Sequence, residues 1–274
     1  MTISQTINRY EKSGLNYVDA LAKTCQDIIL SKIAKSDFGN HITIKGGVVL
    51  MNISKDNRRA TQDLDLDFIR YSLEDDAIKA FIDKLNSVDD NIKIEIKGKI
   101  KSLNQDDYKG KRVFVSLSDN VRHSYEIKLD LGVHTNLDLE QEELCFDLKS
   151  SFERVTLLAN SKEQIVAEKL KSILRKAEAS TRFKDVFDIY YLTIVKKIDV
   201  DKFQELISDY IFKDYRLKVK NTKDIYNRLS SIFSEKAYYK TLENSDDNWL
   251  DLPIDLVISK VLKFFEELRE TSLV

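Results

Sequence analysis

Three aspartates alternate with apolar residues in the stretch "DLDLDF", where Leu64 and Leu66 separate Asp63, Asp65 and Asp67. On a β-strand, side chains at i and i+2 share a face, so the first two carboxylates lie ~6.6 Å apart along it. At an effective dielectric constant of about 20 they repel by about 2.5 kcal/mol, which favours a bound cation such as Mg²⁺. A solvated acidic face explains a lone pair of this kind equally well, so both interpretations stay open. Asp67, ~13 Å from Asp63 on the same estimate, is interpreted as a rim residue.

A glycine pair precedes these acids in a chain that has only seven glycines. Gly46 and Gly47 follow the short strand of "HITIKGG" and open the helix of "GGVVLMNIS". Backbone N–H groups at such a helix start bind phosphate, and a Cβ there would block close approach. On its own the pair is weak evidence for a phosphate site.

A third carboxylate falls in the run "SYEIKLDLGV", where Asp130 lies in an apolar, alternating strand. An acid in that position is most easily explained if it faces the same site as Asp63 and Asp65. Three carboxylates, divalent metals and a phosphate-binding turn are the apparatus of in-line nucleotidyl transfer, in which one carboxylate takes the proton of the attacking hydroxyl.

The second half of the chain contributes a lysine and two further acids. Lys169 lies within the helical run "VAEKLKSIL", and Asp185 and Asp188 share one face of the helix predicted from "RFKDVFDIYY". The lysine is suited to hold phosphate charge. The alternative is a solvated helix pair in which the two aspartates cap the helix or pair with Arg182 and Lys184.

Basic residues are concentrated between positions 162 and 184, where seven cations face three acids although the whole chain has a formal charge of −2. This excess predicts a local face for nucleic acid, because the overall charge cannot attract one. The candidate RNA-contacting residues are Lys171, Arg175, Lys176, Arg182 and Lys184.

Composition excludes several other classes of protein. Cys25 and Cys145 are the only cysteines and form no CxxC pattern, which argues against a disulfide framework or a zinc site. The sequence has neither an export signal nor an apolar run of about 20 residues, so we expect a cytoplasmic protein without membrane contact. Hydrolase, P-loop and dinucleotide motifs are also absent from the sequence.

Periodicity predicts an α+β protein in two parts. Helical spacing marks residues 16–36 and the run "SLEDDAIKAFIDKLNSV", with Ser72 as its N-cap, and period-two alternation marks three strands between residues 92 and 133. From Ser161, which opens a capping box with Gln164, helical periodicity dominates. We therefore predict domains at residues 1–160 and 161–274, packed together with a cleft between them because no flexible linker separates them.

In this order, "KGG", "RATQDLDL", "AEKL" and "RFKDVFDIYYL" resemble the motifs of the AbiEii/AbiGii toxin family of nucleotidyltransferases, which includes the MenT toxins. The resemblance covers about residues 40–195 and leaves the C-terminal helices unmatched. It implies the DNA polymerase β-like nucleotidyltransferase fold: a catalytic lobe with a mixed β-sheet flanked by helices, and a C-terminal helical bundle that completes the active-site cleft.

The resemblance also implies roles for individual residues. The glycine pair would receive the triphosphate, Asp63 and Asp65 would bind the metal, and Lys169 would match the lysine of the third motif. Asp185 and Asp188 match the RD-x-x-D acids, although which one acts directly stays open. Thr61 matches a Ser or Thr that the antitoxin phosphorylates in some relatives. Glycine replaces the serine that many relatives have after the first glycine, and Asp67 is an additional acid.

The function that this resemblance implies is that of a toxin in a bacterial toxin–antitoxin or phage-defence system. Such an enzyme uses Mg²⁺, or Mn²⁺ in its place, to transfer a nucleotide from an NTP to RNA, here the 3′ end of tRNA, and so blocks translation. A cognate antitoxin is an expected partner, with direct contact left open. The alternatives are nucleotidyl transfer to a protein or a small molecule, and an inactive NTP-binding module.

Overall fold

The computed structural model describes residues 2–88, 90–105, 108–120, 123–134, 136 and 139–271. The chain divides into two compact units, Met1–Asn160 and Ser161–Val274. A seven-stranded sheet with helices forms the first unit and helices form the second, which confirms the α+β prediction. Among the described residues, no helix has the length and apolar character needed to cross a membrane.

The first unit places four helices around its strands. The helices are α1 (Ile3–Lys12), α2 (Tyr17–Lys35), α3 (Gly46–Ser54) and α4 (Asp75–Asn86). The strands are β1 (Ile42–Ile44), β2 (Asp63–Phe68), β3 (Lys93–Gln105), β4 (Tyr108–Ser118), β5 (Ser124–Val133), β6 (Glu142–Leu148) and β7 (Glu153–Ala159). Asn57–Arg59 form one turn of 3₁₀ helix.

The sheet is mixed, with strand order β3-β4-β5-β2-β1-β7-β6. β2 runs parallel to β5 and β1 runs parallel to β7, whereas the other neighbours are antiparallel. The short strands β1 and β2 therefore lie near the centre of the sheet. The longer strands β3, β4 and β5 lie on one side of them, and β7 and β6 lie on the other. Because of this topology, residues of β2 lie directly opposite residues of β5, although the two strands are far apart in the sequence.

Helix α2 supplies much of the core of this unit. Its N-cap residue Asn16 accepts a hydrogen bond from the backbone N–H of Asp19 at 3.0 Å, as expected for a side chain that satisfies a first-turn donor. Ile29, Leu30 and Ile33 are fully buried. The helix predicted for residues 16–36 is thus confirmed. The prediction succeeds because apolar residues at three and four residue spacing form one continuous face on a helix.

The predicted start of one helix needs correction, and three elements were missed. Helix α4 starts at Asp75 with Glu74 as its N-cap, not at Ser72. The Ser72 hydroxyl accepts a hydrogen bond from the Glu74 backbone at 3.1 Å, so it stabilises the turn before the helix. Helix α1 and strands β6 and β7 were not predicted from the sequence.

The second unit is helical throughout its described part. Its helices are α5 (Lys162–Lys176), α6 (Lys184–Tyr190), α7 (Val200–Ile207), α8 (Thr222–Ser234), α9 (Lys236–Glu243) and α10 (Ile254–Thr271). Ser161 caps α5 by accepting from the Gln164 backbone at 3.1 Å, while the Gln164 side chain donates to Glu168 and to Tyr210. A π-helical turn follows α6 at Tyr191–Val195, and another follows α7 at Ser208–Phe212.

Candidate active site

The alternation of strand β2 separates an apolar face from an acidic one. Leu64, Leu66 and Phe68 are fully buried, as predicted. Asp63 and Asp65 point to the opposite face and are half-buried. Two carboxylates therefore remain accessible on a strand whose other side chains anchor it in the core.

The pairing of β2 with β5 and of β5 with β4 places more charged residues beside them. Asp65 lies opposite Asp130, and Asp63 lies opposite Lys128. Arg112 of β4 lies opposite Asp130 on its other side. Because residues directly opposite each other share a face of the sheet, the three predicted carboxylates form one acidic patch with two cations at its edge.

Each cation is bound to one of these acids. Lys128 Nζ lies 2.5 Å from Asp63 Oδ2. Arg112 binds both oxygens of Asp130 through Nε and Nη2, each at 2.8 Å. The hydrogen bonds to Asp130 raise the pKa of Arg112, and the negative charges of Asp130, Asp63 and Asp65 raise it further. The patch therefore favours positive charge.

Asp67 is not the rim residue predicted from the sequence. Its side chain is buried and pairs with Lys45, whose Nζ lies 2.7 Å from Asp67 Oδ2. The backbone N–H of Lys45 also donates to the carbonyl of Asp65 at 3.0 Å. Lys45 lies in the turn between β1 and α3, and its side chain reaches Asp67 on the neighbouring strand β2. The spacing of residues along one strand cannot predict a contact of this kind.

The diglycine turn packs directly against the acidic strand. Gly46 has a φ of +61°, and a Cβ at this position would overlap the Oδ2 atom of Asp65. A Cβ on Gly47 would lie 2.6 Å from the Cβ of Thr61 and 2.8 Å from its hydroxyl. Both glycines are thus required by close approach, and the first turn of α3 starts beside the Asp65 carboxylate. The side chain of its N-cap residue, Lys45, makes no cap hydrogen bond to this turn.

Sequence reasoning missed Gln26, a fully buried residue of α2. Its amide nitrogen donates to the carbonyl of Thr61 at 2.8 Å and to that of Asp63 at 3.2 Å. The side chain thereby fixes the backbone that leads into β2. The available signal was a glutamine within the apolar face of a helix, where an amide must find buried partners.

The donor chemistry of the acidic patch fits a divalent cation in part. Over the described ranges, no three His, Cys, Asp or Glu side chains are grouped so as to hold a metal by themselves. Mg²⁺, however, keeps several waters and is usually bound through one or two carboxylates together with substrate phosphates. Asp63 and Asp65 suit that arrangement, since both lie on one face beside a turn without Cβ atoms.

Within the helical unit, Lys169 binds both predicted aspartates. Its Nζ lies 2.5 Å from Asp185 Oδ1 and 2.8 Å from Asp188 Oδ2. Asp188 is fully buried and also accepts a hydrogen bond from Trp249 Nε1 at 3.0 Å. These contacts with α6 hold the lysine in a defined position.

The two aspartates differ in their remaining contacts. Asp185 Oδ2 is buried and has no hydrogen-bond partner among the described residues, and the same holds for the nearby hydroxyl of Tyr238. Burial, followed by the negative charge of Asp185, raises the pKa of Tyr238 to about 12. Asp185 thus retains an acceptor oxygen for a further donor, whereas Asp188 uses its oxygens on Lys169 and Trp249.

The five candidate RNA-contacting residues fall into different settings. Lys171 and Arg175 both bind Asp214, at 3.0 and 3.5 Å. Lys176 and Arg182 are exposed, and Lys184 is half-buried at the start of α6. The predicted basic stretch is therefore not one continuous surface of equivalent side chains.

An acidic patch beside a diglycine turn at the start of a helix offers carboxylate ligands for a divalent cation and backbone N–H groups for an anion. A family model described as "Nucleotidyl transferase AbiEii toxin, Type IV TA system" matches residues 28–264. The chain belongs to this family, and it is accordingly a toxin-family nucleotidyltransferase. The resemblance deduced from the motifs is confirmed, and the match extends through the helices that those motifs left uncovered.

One solved structure that resembles the chain is the crystal structure of an antigenic nucleotidyltransferase-like protein from Paracoccidioides brasiliensis. The two share 16% sequence identity with a TM-score of 0.41, over 72% of this chain and 92% of the other. No curated protein matches the sequence.

Proposed function

We propose that this toxin transfers a nucleotide from an NTP to the 3′ end of tRNA, in a Mg²⁺-dependent reaction in the cytoplasm, and so blocks translation as a phage-defence response. The observation that carries the proposal is the position of Asp65. Its carboxylate is opposite Asp130 across the β2–β5 pair and against Gly46 at the start of α3. Acidic groups and the diglycine turn therefore meet at one point of the sheet.

In this proposal Gly46 and Gly47 receive the triphosphate through the N–H groups of the first turn of α3. Asp63 and Asp65 hold the divalent cation, Mg²⁺ or Mn²⁺, which when bound neutralises charge on the phosphates and orients them. Lys128 neutralises Asp63 until the cation is bound, since it lies at 2.5 Å from that carboxylate.

The bond changes of the reaction are those of an in-line displacement. The 3′-hydroxyl oxygen of the acceptor attacks the α-phosphorus of the NTP, a new P–O bond forms, and the bond to the β-phosphate breaks to release pyrophosphate. Asp130 takes the hydroxyl proton or acts as a further metal ligand. Because Arg112 binds both of its oxygens, one of these two hydrogen bonds must open for Asp130 to act.

We assign the catalytic acids to the domain formed by residues 1–160 and supporting roles to residues of the helical domain, 161–274. Asp185 and Asp188 position Lys169, and the lysine contacts the triphosphate through a further N–H donor while it stays paired with them. Lys171, Arg175, Lys176, Arg182 and Lys184 contact the RNA backbone. Each phosphate that they neutralise makes binding more sensitive to salt.

Thr61 is the proposed point of control by a cognate antitoxin. Its side chain packs against Gly47, and its carbonyl binds Gln26, two residues before Asp63. Phosphorylation of this hydroxyl would add about two negative charges beside the metal-binding acids and would fill the space above the glycine turn. Both effects oppose binding of a triphosphate.

The test is to incubate the protein with each α-³²P-labelled NTP and Mg²⁺, together with either total tRNA or cell protein. We expect label on tRNA, lost in Asp65→Asn and retained in Glu126→Gln, a matched removal of one negative charge at an exposed residue of the neighbouring strand β5. Label on protein would establish the rival transferase instead. Intact NTP binding without label on any acceptor would identify an inactive module.

A further inference from the structure

Among the large hydrophobic side chains of the described residues, Tyr215 is the most exposed, at 86%. It belongs to the segment 213–220, "KDYRLKVK", which contains four basic residues and the single acid Asp214. Lys213, Arg216, Lys218 and Lys220 are all exposed. An aromatic ring is thus presented to solvent within a strongly basic segment of the helical unit.

The backbone that carries this ring is anchored. Leu217 and Val219 are buried, and Arg228 Nη1 donates to the carbonyl of Leu217 at 2.5 Å. Residues Tyr215–Leu217 form one turn of 3₁₀ helix, and Asp214 caps it by accepting a hydrogen bond from the backbone N–H of Arg216 at 3.2 Å. The backbone that carries the exposed Tyr215 ring is therefore already ordered, which lowers the entropic cost of binding a partner to it.

Three cations converge on the Asp214 carboxylate, which is almost fully buried. Arg216 binds both of its oxygens at 2.9 Å, Lys171 Nζ lies at 3.0 Å and Arg175 Nη2 at 3.5 Å. Lys218 and Lys220 of the same segment are exposed and add further positive charge near the ring. This concentration of basic side chains favours an anion next to the exposed ring.

We infer that Tyr215, together with Lys171, Arg175 and Arg216, forms a binding platform for single-stranded RNA. A base stacks on the Tyr215 ring, and the adjacent phosphates lie against the three cations, the combination by which proteins hold single strands. Bases inside an A-form duplex are already stacked and cannot reach the ring, so the platform selects unpaired nucleotides. The inference rests on the proposed function in that it specifies how an RNA acceptor is held.

The test measures binding of a fluorescein-labelled, unstructured ten-nucleotide RNA by anisotropy, without NTP or metal, so that catalysis does not contribute. Tyr215→Ala should weaken binding by about tenfold, the effect expected for loss of one stacked base. Tyr215→Phe, the matched control, keeps the ring and should bind within about twofold of wild type. A thermal melt followed by Trp249 fluorescence verifies that each variant is folded.

Salt dependence tests the cations separately. Arg216→Ala should flatten the plot of log affinity against log salt by about 0.7 for one lost phosphate contact on a single strand. Wild type should also bind the ten-nucleotide strand more tightly than the same sequence as a duplex, and Tyr215→Ala should lose this preference.

Equal binding by wild type and Tyr215→Ala would overturn the inference, and so would equal affinity for the duplex. Tighter binding of a polyglutamate peptide than of RNA would also overturn it, and would assign the surface to an acidic protein. Tyr215-dependent RNA binding without any transfer to tRNA would support the platform while refuting the proposed reaction. Transfer to tRNA together with RNA binding that does not depend on Tyr215 would support the proposed reaction and refute the platform.

Discussion

Carboxylates are held differently in the two units of this protein. On the sheet, Asp63 and Asp130 are paired with one cation each, and these side chains are partly exposed. In the helical unit, Asp185 and Asp188 share the single cation Lys169, and all three side chains are nearly or fully buried. The first arrangement leaves acidic groups that a ligand can reach, whereas the second fixes a lysine.

The difference follows from the cost of burying charge. A buried ion pair that loses one partner leaves an uncompensated charge, which costs about 3–5 kcal/mol, whereas an exposed pair contributes about 0–1 kcal/mol. The sheet acids can therefore exchange their protein partners for a metal or a substrate at small cost. The helical acids cannot, and this makes Lys169 a fixed element of the structure.

The largest effect on stability is expected from Lys169→Met. Removal of this lysine leaves Asp185 and Asp188 buried without their cation, so the free energy of unfolding should fall by about 3–5 kcal/mol. Urea denaturation followed by Trp249 fluorescence is a suitable measurement, because this residue is the only tryptophan and it contacts Asp188.

Lys128→Met is the matched change on the sheet, since it also removes a lysine at 2.5 Å from an aspartate. Here the free energy of unfolding should fall by about 1 kcal/mol or less because the pair is partly exposed. Urea denaturation monitored by circular dichroism measures this change. Similar losses in both variants would contradict the distinction between the two kinds of site.

Gly46→Ala should reduce nucleotide transfer by about ten- to a hundredfold, because the added Cβ needs the space of the Asp65 carboxylate. Gly98→Ala is the control, since Gly98 has a similar φ of +67° but no atom within 4 Å of an added Cβ. Both variants carry the backbone strain of a positive φ, and only the first displaces a candidate ligand. Equal transfer rates would show that the glycine turn does not shape the site.

Gln26→Met tests the support behind the acidic strand. Loss of the two donated hydrogen bonds should lower the free energy of unfolding by about 1–2 kcal/mol and raise the Mg²⁺ concentration for half-maximal transfer several-fold. A purely structural residue would alter stability alone. An unchanged Mg²⁺ dependence would therefore remove Gln26 from the positioning of Asp63.

Local patterns in the sequence predicted much of the fold. Period-two alternation identifies β2 to β5, and helical periodicity together with Asn16 identifies α2, because these features depend on neighbours in sequence. The acidic pair Asp63 and Asp65 is visible for the same reason. Strands β6 and β7 were missed although alternate residues of β7, Val155, Leu157 and Ala159, are buried. Their place in the sheet is set by the pairing of β7 with β1 and of β6 with β7, which the sequence pattern does not show.

Contacts between distant residues could not be predicted in the same way. Arg112, Lys128 and Gln26 reach the acids through strand register and helix packing, which no spacing in the sequence encodes. The burial of Asp67 was missed because Lys45 neutralises it from another element. The roles of the individual site residues likewise remain predictions that the variants above address.

Binding of Mn²⁺ alone, followed by the loss of the free-ion signal in electron paramagnetic resonance, tests most directly whether Asp63 and Asp65 form a cation site. We predict that Asp65→Asn weakens binding at least about tenfold, while Glu126→Gln, which removes one exposed negative charge from the neighbouring strand β5, binds as wild type does. Equal weakening in both variants would show that only the general negative charge of the sheet attracts the ion. Unchanged binding in Asp65→Asn would contradict the assignment of the metal site.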